Sequence, residues 1–220
     1  MKLYDYFRSS AAYRVRIALN LKGVAPERAS VHLRRGAQRA EDYLAMNPQG
    51  LVPALVTDSG DVLTQSLAII EWLEESCPQP PVLPRDAAGR ARVRALALAI
   101  ACDIHPLNNL RVLNYLTGTL GATDAQKDGW YRYWCDVGLE ALETQLAREA
   151  STGPFCHGDT PTMADICMVG HVTVAITQQI DLAPWPTVKR IFETAMALPE
   201  FAKAHPLAQP DTPEAMRPKK

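Results

Sequence analysis

Two adjacent hydroxyls, Ser9 and Ser10, follow a strand-like run ending in Phe7-Arg8 and precede a helical run from Ala11. A helix start offers unpaired N–H groups and the positive end of its dipole, and a serine placed there can donate to an anion such as a thiolate. Ser10 serving only as the helix cap explains the same pattern without a ligand. Leu51-Val52-Pro53-Ala54-Leu55 sets a proline ahead of a strand. Such a proline is either a strand-entry residue or a cis residue in a tight turn. In the cis case Val52 would offer its main-chain N–H and C=O to an extended, peptide-like ligand. Gln65 and Ser66 stand at another helix start. Hydroxyl, amide N–H groups and dipole there suit a carboxylate, with simple capping again as the alternative.

The elements that must position these groups form two differently patterned halves. In the first, Lys2–Phe7 reads as a strand, and Ala11–Lys22 as a helix stopped by Gly23. Arg28–Leu33 reads as a second strand and Glu41–Met46 as a short helix. Ala54–Thr57 and Asp61–Leu63 flank the turn signal Asp58-Ser59-Gly60, which predicts a hairpin. Gln65–Glu75 follows as a helix with Leu67, Ile69, Ile70 and Leu73 for the core. The order β-α-β-α-β-β-α implies a mixed sheet packed by helices. The proline-rich stretch Ser76–Pro84 ends this half. We therefore expect one domain over 1–83, a linker over 84–90 and an all-α domain over 91–220. Arg90–Ala101, Asp124–Ala150, Met163–Gln178 and Pro186–Ala197 carry helical apolar spacing. Thr162-Met163-Ala164-Asp165 fits a capping box. The proline-rich, charged Ala208–Lys220 reads as a tail.

Composition narrows the function classes. Of 220 residues, 47% are hydrophobic and 21% charged, the ordinary globular range. The net charge of −1 lacks the basic excess of a nucleic-acid binder, and no apolar run has the length of a membrane helix. Met1–Arg8 has charge inside its apolar stretch, unlike a signal peptide. Residues 1–39 hold nine Lys/Arg against two Asp/Glu, whereas residues 40–80 hold seven Asp/Glu and no Lys/Arg. Opposite solvated faces explain this; the positive segment is also suited to guiding an anionic ligand. The five cysteines form no Cys-x-x-Cys pair and no metal-ligand spacing, so no metal is expected. They are expected to be buried, reduced thiols of a cytoplasmic protein. Cys156 and His157 are adjacent on an extended segment, so their side chains diverge and do not form a nucleophile–base pair.

Taken together, Tyr6-Phe-Arg-Ser-Ser10 with Arg14-Val-Arg16, Leu51-Val-Pro-Ala-Leu55 and Gln65-Ser-Leu-Ala-Ile-Ile70, in this order before a helical half, resemble the cytosolic glutathione transferases. The serine–arginine motif is similar to that of the zeta class, which includes maleylacetoacetate and maleylpyruvate isomerases. Asp103–Arg111 and Gly158–Asp165 extend the likeness, which runs from Met1 to about Thr212. The resemblance implies an α/β thioredoxin-like first domain, an all-α second domain and a cytoplasmic homodimer, with no nucleic-acid or membrane partner. It implies glutathione as cofactor, lying along Val52-Pro53, its γ-glutamyl carboxylate at Gln65 and Ser66 and its sulfur at Ser9 and Ser10. Gln38, His105, Asn109 and Arg111 match further glutathione contacts, and Arg8 and Arg111 match positive groups that hold substrate carboxylates. Ser9 is the implied activating serine, with Ser10 second.

The implied reaction is cis–trans isomerisation of a maleyl-type dicarboxylate, by thiolate addition to the C=C bond, rotation and loss of the thiolate. Conjugation to an electrophile or dehalogenation of a haloacid could use the same thiolate, and a non-enzymatic binding protein could use the same fold. Two departures stand out. Ala11 and Ala12 replace the usual cysteine and serine, and Thr177 stands near a position where relatives carry arginine.

Overall fold

Alternation along the first strand sends Leu3 and Asp5 inward and leaves Lys2 and Tyr4 half-buried. In this computed structural model, which describes Met1–Arg217, that strand is the second of a four-stranded sheet. The strands are β1 (Lys2–Asp5), β2 (Glu27–Ser30), β3 (Ala54–Val56) and β4 (Val62–Thr64), in the order β2-β1-β3-β4. β1 and β2 run parallel with Leu3 opposite Arg28, while β3 pairs antiparallel with both β1 and β4. The parallel pair needs a crossover. That crossover is α1 (Ser10–Leu21), whose Val15, Ile17 and Ala18 are fully buried. α2 (Glu41–Met46) follows, and α3 (Ser66–Ser76) packs beside α1 with Ile69, Ile70 and Leu73 buried and Leu67 only half-buried.

Both long strand expectations shorten. β1 stops at Asp5 because the next carbonyls are taken from outside the sheet: Tyr6 O accepts the Ser9 N–H (2.9 Å) and Phe7 O accepts Arg16 Nη2 (3.1 Å). β2 stops at Ser30, and the chain coils into two 3-10 turns, Leu33–Arg35 and Ala37–Arg39. Gly36 joins them at φ 75°, a left-handed conformation that glycine adopts without penalty.

The chain divides into two compact units, Met1–Val82 with Met196–Arg217, and Leu83–Ala195. The C-terminal segment thus belongs with the sheet, not with the second helical domain expected over 91–220. Its sequence conceals this, since four prolines over 196–217 interrupt any helical apolar period. α9 (Pro199–Ala204) nevertheless buries Phe201 and Ala204, and the side chains of α1 hold it. Arg16 Nε donates to Ala204 O (2.9 Å), and Asn20 Nδ2 donates to Glu200 O (2.8 Å). The expected tail is also ordered through Arg217. Gln209 and Thr212 are buried, and Gln209 Nε2 donates to Lys203 O (2.8 Å) and His205 O (2.7 Å). Residues 218–220 of that expectation lie outside the described residues.

The second unit comprises α4 (Ala87–Leu98), α5 (Leu110–Gly118), α6 (Asp124–Arg148), α7 (Met163–Thr177) and α8 (Pro186–Met196, through Ala195). The stretch expected as a linker is already helical from Ala87, because Asp86 caps it by accepting the Gly89 N–H (2.7 Å). α4 continues into a π turn, Ala99–Ile104. Ile104 packs where Gly138 of α6 has no side chain, and a Cβ there would lie 2.2 Å from Ile104 Cδ1. α7 is buried almost throughout, and its start carries the expected capping box. The Thr162 N–H (2.8 Å) and hydroxyl (2.7 Å) both donate to Asp165 Oδ2, and the Cys156 N–H donates to Oδ1 (2.7 Å).

Candidate active site

Ser9, not Ser10, caps α1. Its Oγ accepts the Ala12 N–H at 3.1 Å, and Ser10 is buried as the first helical residue. A hydroxyl has one proton and two lone pairs. Capping uses a lone pair, so the Ser9 proton remains available to an anion at the same helix start. The capping and anion-binding readings therefore coexist on one oxygen. Ala11 and Ala12 bring no side-chain donor to this turn.

The strand-to-helix turn bearing Arg8 and Ser9 is braced from beneath. Buried Arg16 donates to Asp5 Oδ1 (2.7 Å) and Phe7 O (3.1 Å), and Asp5 is also paired with Arg28. Burial pushes the Arg16 guanidinium below its ordinary pKa while the Asp5 carboxylate opposes that shift. Asp211 holds the turn from the C-terminal segment: its Oδ2 accepts the Phe7 N–H (2.9 Å) and the Ser30 hydroxyl (3.1 Å). Sequence reading missed Asp211, because nothing in a proline-rich terminus signals a return to the first strand.

The Val52–Pro53 peptide bond is cis, as one sequence reading allowed. Val52 sits in a buried apolar cluster with Tyr6, Phe7, Val31 and Tyr43. Among the described residues none hydrogen-bonds to the Val52 main chain. The preceding Leu51 carbonyl is instead doubly held, by the Tyr43 hydroxyl (2.6 Å) and Asn47 Nδ2 (2.8 Å). Gln65 adopts φ 68° and ψ 121°, a strained region for a residue with a side chain, and enters α3 without capping it. Its Nε2 donates to Gln49 Oε1 (2.8 Å), which ties the α3 start to the loop before Val52. Gln49 was not foreseen, since a loop glutamine has no distinguishing pattern. Ser66 is buried next to Arg14, whose Nη1 donates to its Oγ (3.4 Å). Gln38 lies in the second 3-10 turn, with its main-chain oxygen against Gly50 and its Oε1 buried without a partner. Gly50 has φ 59°, and a Cβ there would lie 3.0 Å from Gln38 O and from Arg39 Nη1. The first unit thus brings Ser9, Val52, Gln65, Ser66 and Gln38 onto connected elements.

His105, Asn109 and Arg111 belong to the second unit. The π turn delivers His105, and π turns recur at functional sites. Asn109 Nδ2 lies 3.3 Å from His105 Nε2, and Asn109 Oδ1 caps α5 by accepting the Arg111 N–H (3.1 Å). Trp130 Nε1 pins the loop to α6 by donating to Leu107 O (2.9 Å), as does Asn108 Nδ2 to Tyr131 O (3.1 Å). Arg111 is exposed. Thr177 ends α7 beside a cavity of about 420 Å³, whose lining guanidinium comes from Arg132.

Cys135 and Cys156 are buried thiols that offer no competing nucleophile. Cys156 is buried, and burial with the nearby Asp165 carboxylate raises its thiol well above the ordinary range. Burial likewise pushes Cys135 up to about 12. Cys102 is exposed and Cys77 half-buried, which corrects the expectation of five buried thiols; all five are free. Among the described residues no three His, Cys, Asp or Glu side chains cluster as metal ligands.

Residues 8–76 match the family model for the N-terminal domain of glutathione S-transferases. The chain is 48% identical over 212 residues to a maleylpyruvate isomerase of Ralstonia sp., covering 96% of this chain and 100% of that protein. The holo structure of a maleylpyruvate isomerase, a bacterial zeta-class glutathione transferase, superposes with a TM-score of 0.94 at 47% identity, over 97% of this chain and 100% of the other. The maleylacetoacetate isomerase of Methylobacterium extorquens AM1, solved with malonate and glutathione bound, gives the same TM-score, identity and coverage.

Proposed function

The chain belongs to the zeta-class glutathione transferases, the family of maleylpyruvate and maleylacetoacetate isomerases, and from that premise we propose that it isomerises a maleyl-type dicarboxylate with glutathione as cofactor. The observation that carries the reading is Ser9, a helix cap whose proton is still available at a positive helix end. The residues present fit the cofactor: a Val52 main chain without partners and a buried unpartnered Gln38 Oε1. When bound, glutathione supplies a thiolate that adds reversibly to the C=C bond and so permits its rotation.

The protein must make a thiolate available near pH 7. A free thiol has a pKa of about 8.5, and lowering it by two units takes about 2.7 kcal/mol. A hydroxyl donating to an anion contributes about 1.5–3 kcal/mol and a helix start about 0.3–1. Ser9 with the α1 start is therefore sufficient without the cysteine that Ala11 replaces. Val52 is assigned to the cofactor's main chain, Gln65 and Ser66 to its γ-glutamyl carboxylate, and Gln38, His105 and Asn109 to further contacts. Arg8 and Arg111 are assigned to the substrate carboxylates. A dicarboxylate suits these cations, and the Methylobacterium relative holds one, malonate, together with glutathione.

The reading extends to a cytoplasmic homodimer. Five free thiols accord with a reducing compartment. Leu98, Tyr115, Tyr133 and Val137 are large apolar or aromatic side chains exposed on α4, α5 and α6, residue types that contact with a second copy would cover. The test is calorimetric titration with glutathione at neutral pH. Saturable binding with micromolar-to-millimolar affinity is expected; no heat at millimolar glutathione would leave only the non-enzymatic reading.

A further inference from the structure

The 3-10 turn Leu33–Arg35 is not a free loop. Leu33 and Ala37 pack against the apolar cluster of Tyr6, Phe7, Val31, Tyr43 and Val52, which also carries the chain into Arg8 and Ser9. The Val31 N–H donates to Asp5 O (2.7 Å), continuing the β1–β2 register. The His32 ring rests on the Tyr6 ring at 5.0 Å. These contacts fix the turn beside the Tyr6–Ser9 segment, and Arg34 stands on it, exposed.

Arg8 leads from Phe7 into the α1 start, and the turn bearing Arg34 packs against the same cluster; among the described residues neither arginine is in an ion pair. The acid of this region, Asp211, is already engaged with the Phe7 N–H and the Ser30 hydroxyl. The two charges feel each other: burial, then the Arg34 charge, lowers the Arg8 guanidinium from its ordinary value. The Tyr6 phenol responds to Arg34, Arg8 and Arg35 as well, although its own burial outweighs them. Two cations without ion-pair partners, one at the helix start and one on the turn packed beside that segment, suit a dianion.

We propose that Arg34 is a specificity-determining residue that holds, with Arg8, a dianionic substrate at the α1 start. This rests on the isomerase reading and deepens it. Arg8 follows directly from Phe7 and precedes Ser9, so it takes the carboxylate nearest the reacting carbon. Arg34, on the 3-10 turn that follows β2, shares with Arg111 the distal carboxylate.

The test compares wild type, Arg34→Gln and Arg34→Lys, all saturated with glutathione. Malonate serves as a non-reacting dianion for calorimetry. Maleylpyruvate isomerisation and conjugation to the neutral electrophile 1-chloro-2,4-dinitrobenzene serve as activities. Arg34→Gln is expected to weaken malonate binding and raise KM for maleylpyruvate by about ten- to a hundredfold, the range for losing one charge-assisted hydrogen bond. The loss on the neutral electrophile should be at least tenfold smaller, and Arg34→Lys should recover part of the malonate affinity as a point charge. Unchanged malonate affinity in Arg34→Gln, or equal losses with malonate and the neutral electrophile, would overturn the proposal. If wild type conjugates the neutral electrophile but does not isomerise maleylpyruvate, the isomerase reading itself fails. A wild-type isomerase with an indifferent Arg34→Gln variant refutes only the role of Arg34.

Discussion

Ser9 satisfies the Ala12 N–H with a lone pair and keeps its proton for a ligand, so one side chain builds the helix start and equips it. The sequence reading carried both roles but set the cap on Ser10, since two identical neighbours do not show which one caps. That depends on where the main chain leaves the extended conformation, which it does at Ser9 with ψ 117°. Ser9→Ala should raise the pKa of the enzyme-bound thiol by about one to two units, the loss of a hydrogen bond worth about 1.5–3 kcal/mol. Glutathione affinity should change little, because Val52, Gln65 and Ser66 remain. Thiolate absorbance followed against pH checks this, with Ser10→Ala as the comparison. A shift with Ser10→Ala alone would move the assignment by one residue, and no shift with either would leave activation to the helix start.

At the scale of elements, periodicity located the helices that bury a continuous face and failed where another rule decides. α7 was legible because Ile166, Val169 and Val172 recur at helical spacing and Thr162–Asp165 mark its start. The π turn was not, since the same apolar pattern runs through α4 and only the fit of Ile104 against Gly138 distinguishes it. α9 was missed because six residues are too few to show a period. The Asp165 carboxylate is fully buried, which raises its pKa, while its three donors oppose that shift. Asp165→Ala strands the Cys156 N–H, the Thr162 N–H and the Thr162 hydroxyl together. Orphaned buried groups cost about 1–3 kcal/mol each, with partial relief by rearrangement, so the loss should be about 2–4 kcal/mol in denaturant unfolding. The folded variant should bind glutathione as wild type does, because the hydrogen bonds of Asp165 reach only Cys156 and Thr162, neither of which is assigned to the cofactor. A change within about 0.5 kcal/mol would show that the cap is not the helix anchor described.

For the molecule as a whole, the β-α-β-α-β-β-α order, a mixed sheet and a helical second half followed from turn residues and periodicity, and the structure has all three. The return of residues 196–217 to the sheet did not, because it depends on side-chain to main-chain bonds from Arg16 and Asn20 that leave no sequence period. The charge division has a structural counterpart. The positive first segment includes Arg8, which precedes the serine at the α1 start, and Arg34 on the turn after β2, and the acidic residues of 41–75 lie on α2, the β3–β4 turn and α3. What separates isomerisation from conjugation on such a frame is the fate of the thiol. Isomerisation returns glutathione, whereas conjugation or dehalogenation consumes it as the substrate disappears. The decisive measurement is therefore a free-thiol count alongside turnover of maleylpyruvate in limiting glutathione. The account predicts conversion to the trans isomer over many turnovers per glutathione, no conversion without glutathione, and an unchanged thiol concentration at the end. Loss of one thiol per substrate consumed, or conversion that proceeds equally well without glutathione, would contradict it.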